Sequence, residues 1–435
     1  MAITAPSPQL TQRSATDLAA AIRTKQLTAR EVVQAHVDRL HARQPRTNAL
    51  ACDRLADALT EADATAVARL RHAGFIPLGV TNTSEMTMWI ESVNRVYGRT
   101  RNAYDPHRTA GGSSGGEGAA VGSGGSPVGL GSDIGGSIRV PAFFNGVFGH
   151  KPSPGLVPNT GQFPSTAGEA AYMLTLGPLT RHAEDLMPVT RIIAGPDGID
   201  EYCVPRELGD PAATDFATLR VLVVDDASLI PARKELRDAR DRAADALRQL
   251  GARTEQVSLK QLRRALEIYL AALGDGASVS LGELLTDAGV ELQGSRHWVD
   301  AARGRGDHTL PVLITAALER LNRHMPDTRI RKAVHAARAL REEMKGILGG
   351  DGILLHPPHP RVAPRHGATI GRAWVLTPAA VFNLLGLPVT EVPLGLNPKG
   401  LPLGVQVAAA DGNDHLTIAA ALALERRFGG WSPPA

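Results

Sequence analysis

The chain has 435 residues, with 43% apolar, 21% charged and 4% aromatic side chains, enough for a large core and too apolar for a disordered chain. Its 47 basic and 44 acidic residues leave a net charge of +3, which gives no field for a nucleic acid or a membrane surface. The basic residues are uneven, with seven Lys against forty Arg.

In chain order, Thr16–Thr24 and Thr28–Arg43 place apolar residues at helical spacing, with Thr16 and Thr28 as N-cap candidates. His36 and His41 fall on the second helix, on a face expected to be solvated. Ala64–Ala73 reads as a helix closed by Gly74, and Ile76–Val80 as a short strand. Residues 111–137 hold 12 Gly and 6 Ser, the composition of a flexible linker. Three features oppose that reading: Ala119–Val121, a strand pattern at Val128–Leu130, and the core-like run Ile138, Val140, Phe143, Phe144 and Val147. Further on, Leu219–Val224 is a buried-strand candidate and Lys234–Leu250 an amphipathic helix closed by Gly251. Leu262–Leu273, Val312–His324 and Ile330–Leu348 are helical, Gly352–Leu355 returns to strand, and Leu416–Phe428 is the last helix. Helices alternating with strands predict an α/β fold, with a mixed, mostly parallel central sheet covered by helices on both faces.

Cys52 and Cys203 make neither a disulfide framework nor a metal cluster. The first ten residues lack the basic and apolar regions of a secretion signal, and Ala373–Thr390, though apolar, is broken by Pro378, Asn383 and Pro388. A cytoplasmic protein is the expectation.

The chemistry concentrates in Ala110–Pro152. In Ser132–Ser137 a strand ends in a glycine-rich turn that opens a helix at Ser137. Successive N–H groups of such a turn converge on one point, as an oxyanion requires, and a hydroxyl there is a candidate nucleophile. A phosphate loop needs a lysine after its last glycine, and the tract has none.

GGSSGG, GSDIGGSIRVPA and GVFGHKP, in that order, resemble the amidase signature family. The flanks agree: LGVTNTSEM at Leu78–Met86, RNAYDPHRTAGGSS at Arg101–Ser114, LGPLTRHAEDL at Leu176–Leu186, FNLLGLPVTEVPLG at Phe382–Gly395, GLPLGVQV at Gly400–Val407 and ALERRFGGW at Ala423–Trp431. The signature is most similar to members resembling fatty-acid amide hydrolases. The resemblance implies one amidase domain over 1–435, with N-terminal helices at 14–50, a signature core at 76–195, a variable middle at 197–350 and a C-terminal core at 351–431. It implies a Ser–cis-Ser–Lys hydrolase of small amides, and sometimes esters, that needs no cofactor or metal. Ser137 is then the nucleophile and Ser113 the bridging serine after a cis peptide. The N–H groups of Ile134, Gly135, Gly136 and Ser137 line the oxyanion hole. Ser114, Asp133 and Arg139 support the loops, the last two as a structural ion pair. The partner is a small-molecule amide, without nucleic acid or membrane, and a homodimer is admitted.

The pattern breaks at its third member, a lysine in a G-x-P-x-x-x-K segment. Lys25 and Lys151 are consecutive lysines, and Lys151 fills the later GHKP position. Leu50 is followed by ACDRLADALTEAD, with a helix expected from Asp63, where family members carry a longer segment; the block with the lysine is read as absent. Acid–base assistance is worth about 10²–10⁴-fold, and an oxyanion hole with binding alone leaves about 10³–10⁴-fold over water, so slow activity is expected. His107 and His150 are the candidate substitute bases. His356, His359 and His366 fall in a loop that can line the pocket, and Glu85 and Glu117 are candidate pocket carboxylates. The alternatives are an impaired relative that binds an amide-like ligand or a partner, the incomplete product of a deleted gene, and the amidase subunit of a transamidating complex.

Overall fold

The computed structural model describes residues 9–52, 63–224, 231–275, 295–322 and 326–435. Its strands are β1 (Leu50–Cys52), β2 (Val80–Thr81), β3 (Val93–Asn94), β4 (Gly98–Arg99), β5 (Val128–Asp133), β6 (Phe148–Lys151), β7 (Thr175–Thr180), β8 (Arg220–Val224), β9 (Arg253–Val257), β10 (Gly352–His356), β11 (Val389–Leu396) and β12 (Pro402–Ala409). Eight of them form one sheet in the order β5-β7-β6-β11-β12-β10-β8-β9, while β1 with β2 and β3 with β4 make two small antiparallel pairs.

Both faces of the large sheet are covered, which is why its strands read as unbroken apolar runs. In β8, Val221 and Val223 enter one core with helices Lys234–Gln249 and Asp414–Phe428. Leu222 and Val224 enter the opposite core with helices Ala265–Ala272, Asp327–Leu348 and Thr377–Leu384. Strand β10 divides in the same way, with Ile353 and Leu355 on one side and Leu354 on the other.

The sheet is mixed, but the expectation that it is mostly parallel is corrected. Only β10–β8 and β8–β9 pair in parallel, and the other five pairings are antiparallel. For the β11–β12 pair the reason is connection length. The turn Asn397–Leu401 between β11 and β12 is too short for a parallel crossover, and the Asn397 side chain accepts from the N–H groups of Lys399 and Leu401 at 2.9 and 3.0 Å.

Other differences are local. The first helix spans Ala15–Arg23 and is capped by Ser14 rather than Thr16, the Ser14 hydroxyl accepting from Asp17 N at 3.0 Å. Thr28 does cap its helix, in a reciprocal box with Glu31. Of Ile76–Val80 only Val80 joins a strand. His36 lies inside rather than on a solvated face, 2% exposed, with Nδ1 bonded to Val32 O at 2.8 Å and burial pushing it down to about 4. The glycine-rich tract is ordered interior: Gly115–Gly122 is a buried helix and β5 follows it. The end of the helix expected over Val312–His324 and the residues between Cys52 and Asp63 lie outside the described set.

Candidate active site

Strand β5 delivers the candidate site by ending at Asp133. The chain then turns through Ile134–Ile138 and enters the buried helix Arg139–Phe144. Asp133 organises this turn, accepting from Gly136 N at 2.7 Å and Ile138 N at 3.1 Å. Its fully buried partner Arg139 approaches to 2.9 Å. Burial alone would raise the Asp133 pKa; the Arg139 and Lys151 charges, with hydrogen bonds from Arg139 and Asn383, outweigh it and hold the carboxyl well below the usual range.

Arg139 is fixed in turn by Asn383 Oδ1 at 2.5 Å, Gln406 Oε1 at 2.7 Å and Ala379 O at 3.0 Å. Asn383 also donates to Asp133 Oδ1 at 2.8 Å. Neither Asn383 nor Gln406 was named as a site residue from the sequence, although both stand in the FNLLGLP and GLPLGVQV segments.

The Gly136 N–H is taken up by Asp133, so it does not face the same point as its neighbours. The N–H groups of Ile134, Gly135 and Ser137 have no acceptor among the described residues. Tyr269, which sequence reasoning missed, donates its hydroxyl to Ile134 O at 3.0 Å. In a trans peptide the carbonyl and the next N–H point in opposite directions, so this bond aims the Gly135 N–H away from Tyr269. Gly136 has φ +115°, and a Cβ there would lie 2.5 Å from Ala379 Cβ, which explains glycine at this position.

Ser113 follows a cis peptide bond with Gly112 and is buried, 3% exposed. Its carbonyl accepts from Ser92 Oγ at 2.8 Å, and Ser92 Oγ accepts from Gly115 N at 2.9 Å. Ser114 joins the two serine loops, its N–H donating to Ser137 O at 3.3 Å and its hydroxyl to Ser132 O at 3.5 Å. The Ser113 and Ser137 hydroxyls make no hydrogen bond to each other.

A cavity of about 890 Å³ opens on Ser113, Ser114 and Glu117 and does not reach Ser137. No lysine is among its described lining residues. Lys151 is elsewhere, buried in β6 with Nζ donating to Pro152 O at 3.1 Å. Burial and the Arg139 charge, opposed by Asp133, Asp414 and Asp411, push Lys151 down to about 8. The two candidate substitute histidines are not brought to the cavity: His107 is exposed, and His150 is buried between Thr390 Oγ1 at 2.9 Å and Asp414 Oδ1 at 3.2 Å.

Glu85 is engaged with His308 Nδ1 at 2.5 Å and Thr309 N at 2.7 Å, anchoring the start of helix Leu310–Asn322. Nδ1 of His359 bonds Arg361 O at 2.6 Å, His356 Nδ1 bonds Pro357 O at 2.7 Å, and His366 Nε2 bonds Pro106 O at 3.0 Å. Among the described residues no group of three His, Cys, Asp or Glu side chains could hold a metal, and no helix is long and apolar enough to cross a membrane.

The Amidase family profile matches residues 32–418. Human fatty-acid amide hydrolase 2 is 42% identical over 392 residues, covering 87% of this chain and 71% of the relative. Fatty-acid amide hydrolase 2-A of Danio rerio is 37% identical over 486 residues, covering 97% of this chain and 90% of the relative. That alignment is longer than the 435-residue chain, so stretches of the relative have no counterpart here. In fold, the chain is similar to 6-aminohexanoate cyclic dimer hydrolase in complex with substrate, with a TM-score of 0.81, 23% identity and coverage of 96% of this chain and 97% of that one.

Proposed function

The chain belongs to the amidase family, hydrolases of carbon–nitrogen bonds other than peptide bonds, and from that premise we propose that it cleaves small amides, and esters, slowly through an acyl-enzyme on Ser137. Ser137 Oγ attacks the acyl carbon while its proton passes to Ser113 Oγ, which gives up its own proton to solvent water in the cavity. The developing oxyanion is received by the N–H groups of Ile134, Gly135 and Ser137, with Gly136 holding the turn through Asp133. The amine leaves with a proton returned from solvent through Ser113, and a water molecule then attacks the acyl carbon, releasing the acid as one of its protons restores the Ser137 hydroxyl. The single observation behind slow turnover is that Ser113 faces a cavity lined by no described lysine, so the relay ends without a strong base.

The likeness to fatty-acid amide hydrolases makes amides of long-chain acids the first substrates to assay. Hydrolysis of such an amide and of the matching activated ester tests the reading. The ester, whose leaving group needs no proton, is expected to turn over faster. Ser137→Ala should abolish both reactions, and Ser113→Ala should lower amide cleavage more than ester cleavage. Hydrolysis that survives Ser137→Ala would overturn the assignment.

A further inference from the structure

The cavity beside Ser113 has a composition that the proposed chemistry does not explain. Leu18, Ile22, Val33, Val67 and Leu176 give it apolar walls, Ile76, Val80 and Phe163 stand at its edge 50%, 47% and 56% exposed, and of the arginines on its lining Arg71 is paired with Asp63 while Arg23 is exposed. One side is the outer edge of β5, the end strand of the large sheet, with every residue from Val128 to Ser132 on the lining. Into this apolar space Glu117 brings a carboxylate. It accepts one hydrogen bond, from Thr81 Oγ1 at 3.1 Å, and has no basic partner among the described residues. Its other oxygen lies against Gly129, where a Cβ would come within 2.2 Å. A carboxylate with a single donor on an apolar cavity is under-satisfied.

A complementary ligand needs an apolar chain for the walls and a compact cationic head with several donors for Glu117. A primary ammonium has three donors and a positive charge, an alcohol has one donor and no charge, and a fatty acid would set like charges together. We propose that this cavity is a binding site for primary alkylamines, with the head group on Glu117 and Thr81 beside Ser113 and the chain along the apolar walls.

One consequence rests on the Ser137 reading. In its neutral form the bound amine takes the Ser113 Oγ proton as Ser113 takes that of Ser137 and the Ser137 Oγ–acyl carbon bond forms. When the C–N bond of the substrate breaks, the ammonium returns that proton through Ser113 to the leaving nitrogen.

The test is calorimetric titration of the full-length protein with n-hexylamine, n-hexanol and hexanoate at pH 8. Hexylamine should bind, and hexanol and hexanoate should fail to compete. Glu117→Gln should weaken hexylamine by about tenfold or more, the loss of one charge-assisted contact. Equal binding of hexanol, or unchanged affinity in Glu117→Gln folded by its circular dichroism, would overturn the site; the wild-type competition needs no variant. Acid release from an amide substrate should then rise with hexylamine and not in Ser113→Ala. Binding without any rise would leave the site standing and overturn the relay.

Discussion

Asp133 is a carboxylate without solvent, kept charged by Arg139 and by the turn it organises. Replacing Arg139 with Met leaves that charge buried without its ion-pair partner, so a loss of about 3–5 kcal/mol is expected in denaturant unfolding. Glu117 behaves in the opposite way. Its pKa rises from 4.5 to about 7 on burial, so its contribution to stability is fully present below about 4.5 and lost as pH rises through about 7. Thermal melts at pH 5 and pH 8 should show wild type losing stability relative to Glu117→Gln as pH rises; parallel curves would contradict the shift. At this scale the sequence exposed the residues that stand inside one short motif. The resemblance named Ser137, Ser113 and the Asp133–Arg139 pair, and the structure holds that last pair as a buried ion pair. Tyr269, Asn383, Gln406 and Ser92 were not, because folding brings them to the loops from separate segments.

The glycine-rich helix Gly115–Gly122 shows what its composition is for. A Cβ on Gly116 would lie 2.3 Å from Asn82 O and 2.7 Å from Ala49 O, both rigid backbone atoms. Gly116→Ala should therefore destabilise the protein by more than the roughly 1–3 kcal/mol of ordinary overpacking, measured as a fall in melting temperature. Loss of fluorophosphonate labelling at Ser137 should accompany it. Elements with strong periodicity or unbroken apolar runs were legible: the helix Lys234–Gln249, strand β8 and the last helix lie within two residues of expectation. Strand direction was not, since pairing across the sheet is set by contacts distant in sequence. His36 misled because one helical face carries both solvated residues and the packing against its neighbours.

At the scale of the molecule, the cavity lies along the outer edge of β5 and is lined also by Leu50 and Asp63, within a stretch that holds no lysine between Lys25 and Lys151. The uneven lysine count is what prompts the proposal of a relay without a base, whereas the size and apolar character of the space required the fold. An apolar cavity with exposed Ile76, Val80 and Phe163 at its edge should take up a neutral hydrophobic dye such as Nile red in the native state, and hexylamine should displace it. Dye uptake only on unfolding would contradict an open cavity. The proposed chemistry rests on a competent nucleophile whose relay lacks a base, and the time course of fluorophosphonate labelling at Ser137, followed by intact and peptide mass, reads both. One label per chain is expected, on Ser137, absent in Ser137→Ala, formed slowly and faster with added hexylamine. Labelling elsewhere, or none in folded protein, would contradict it.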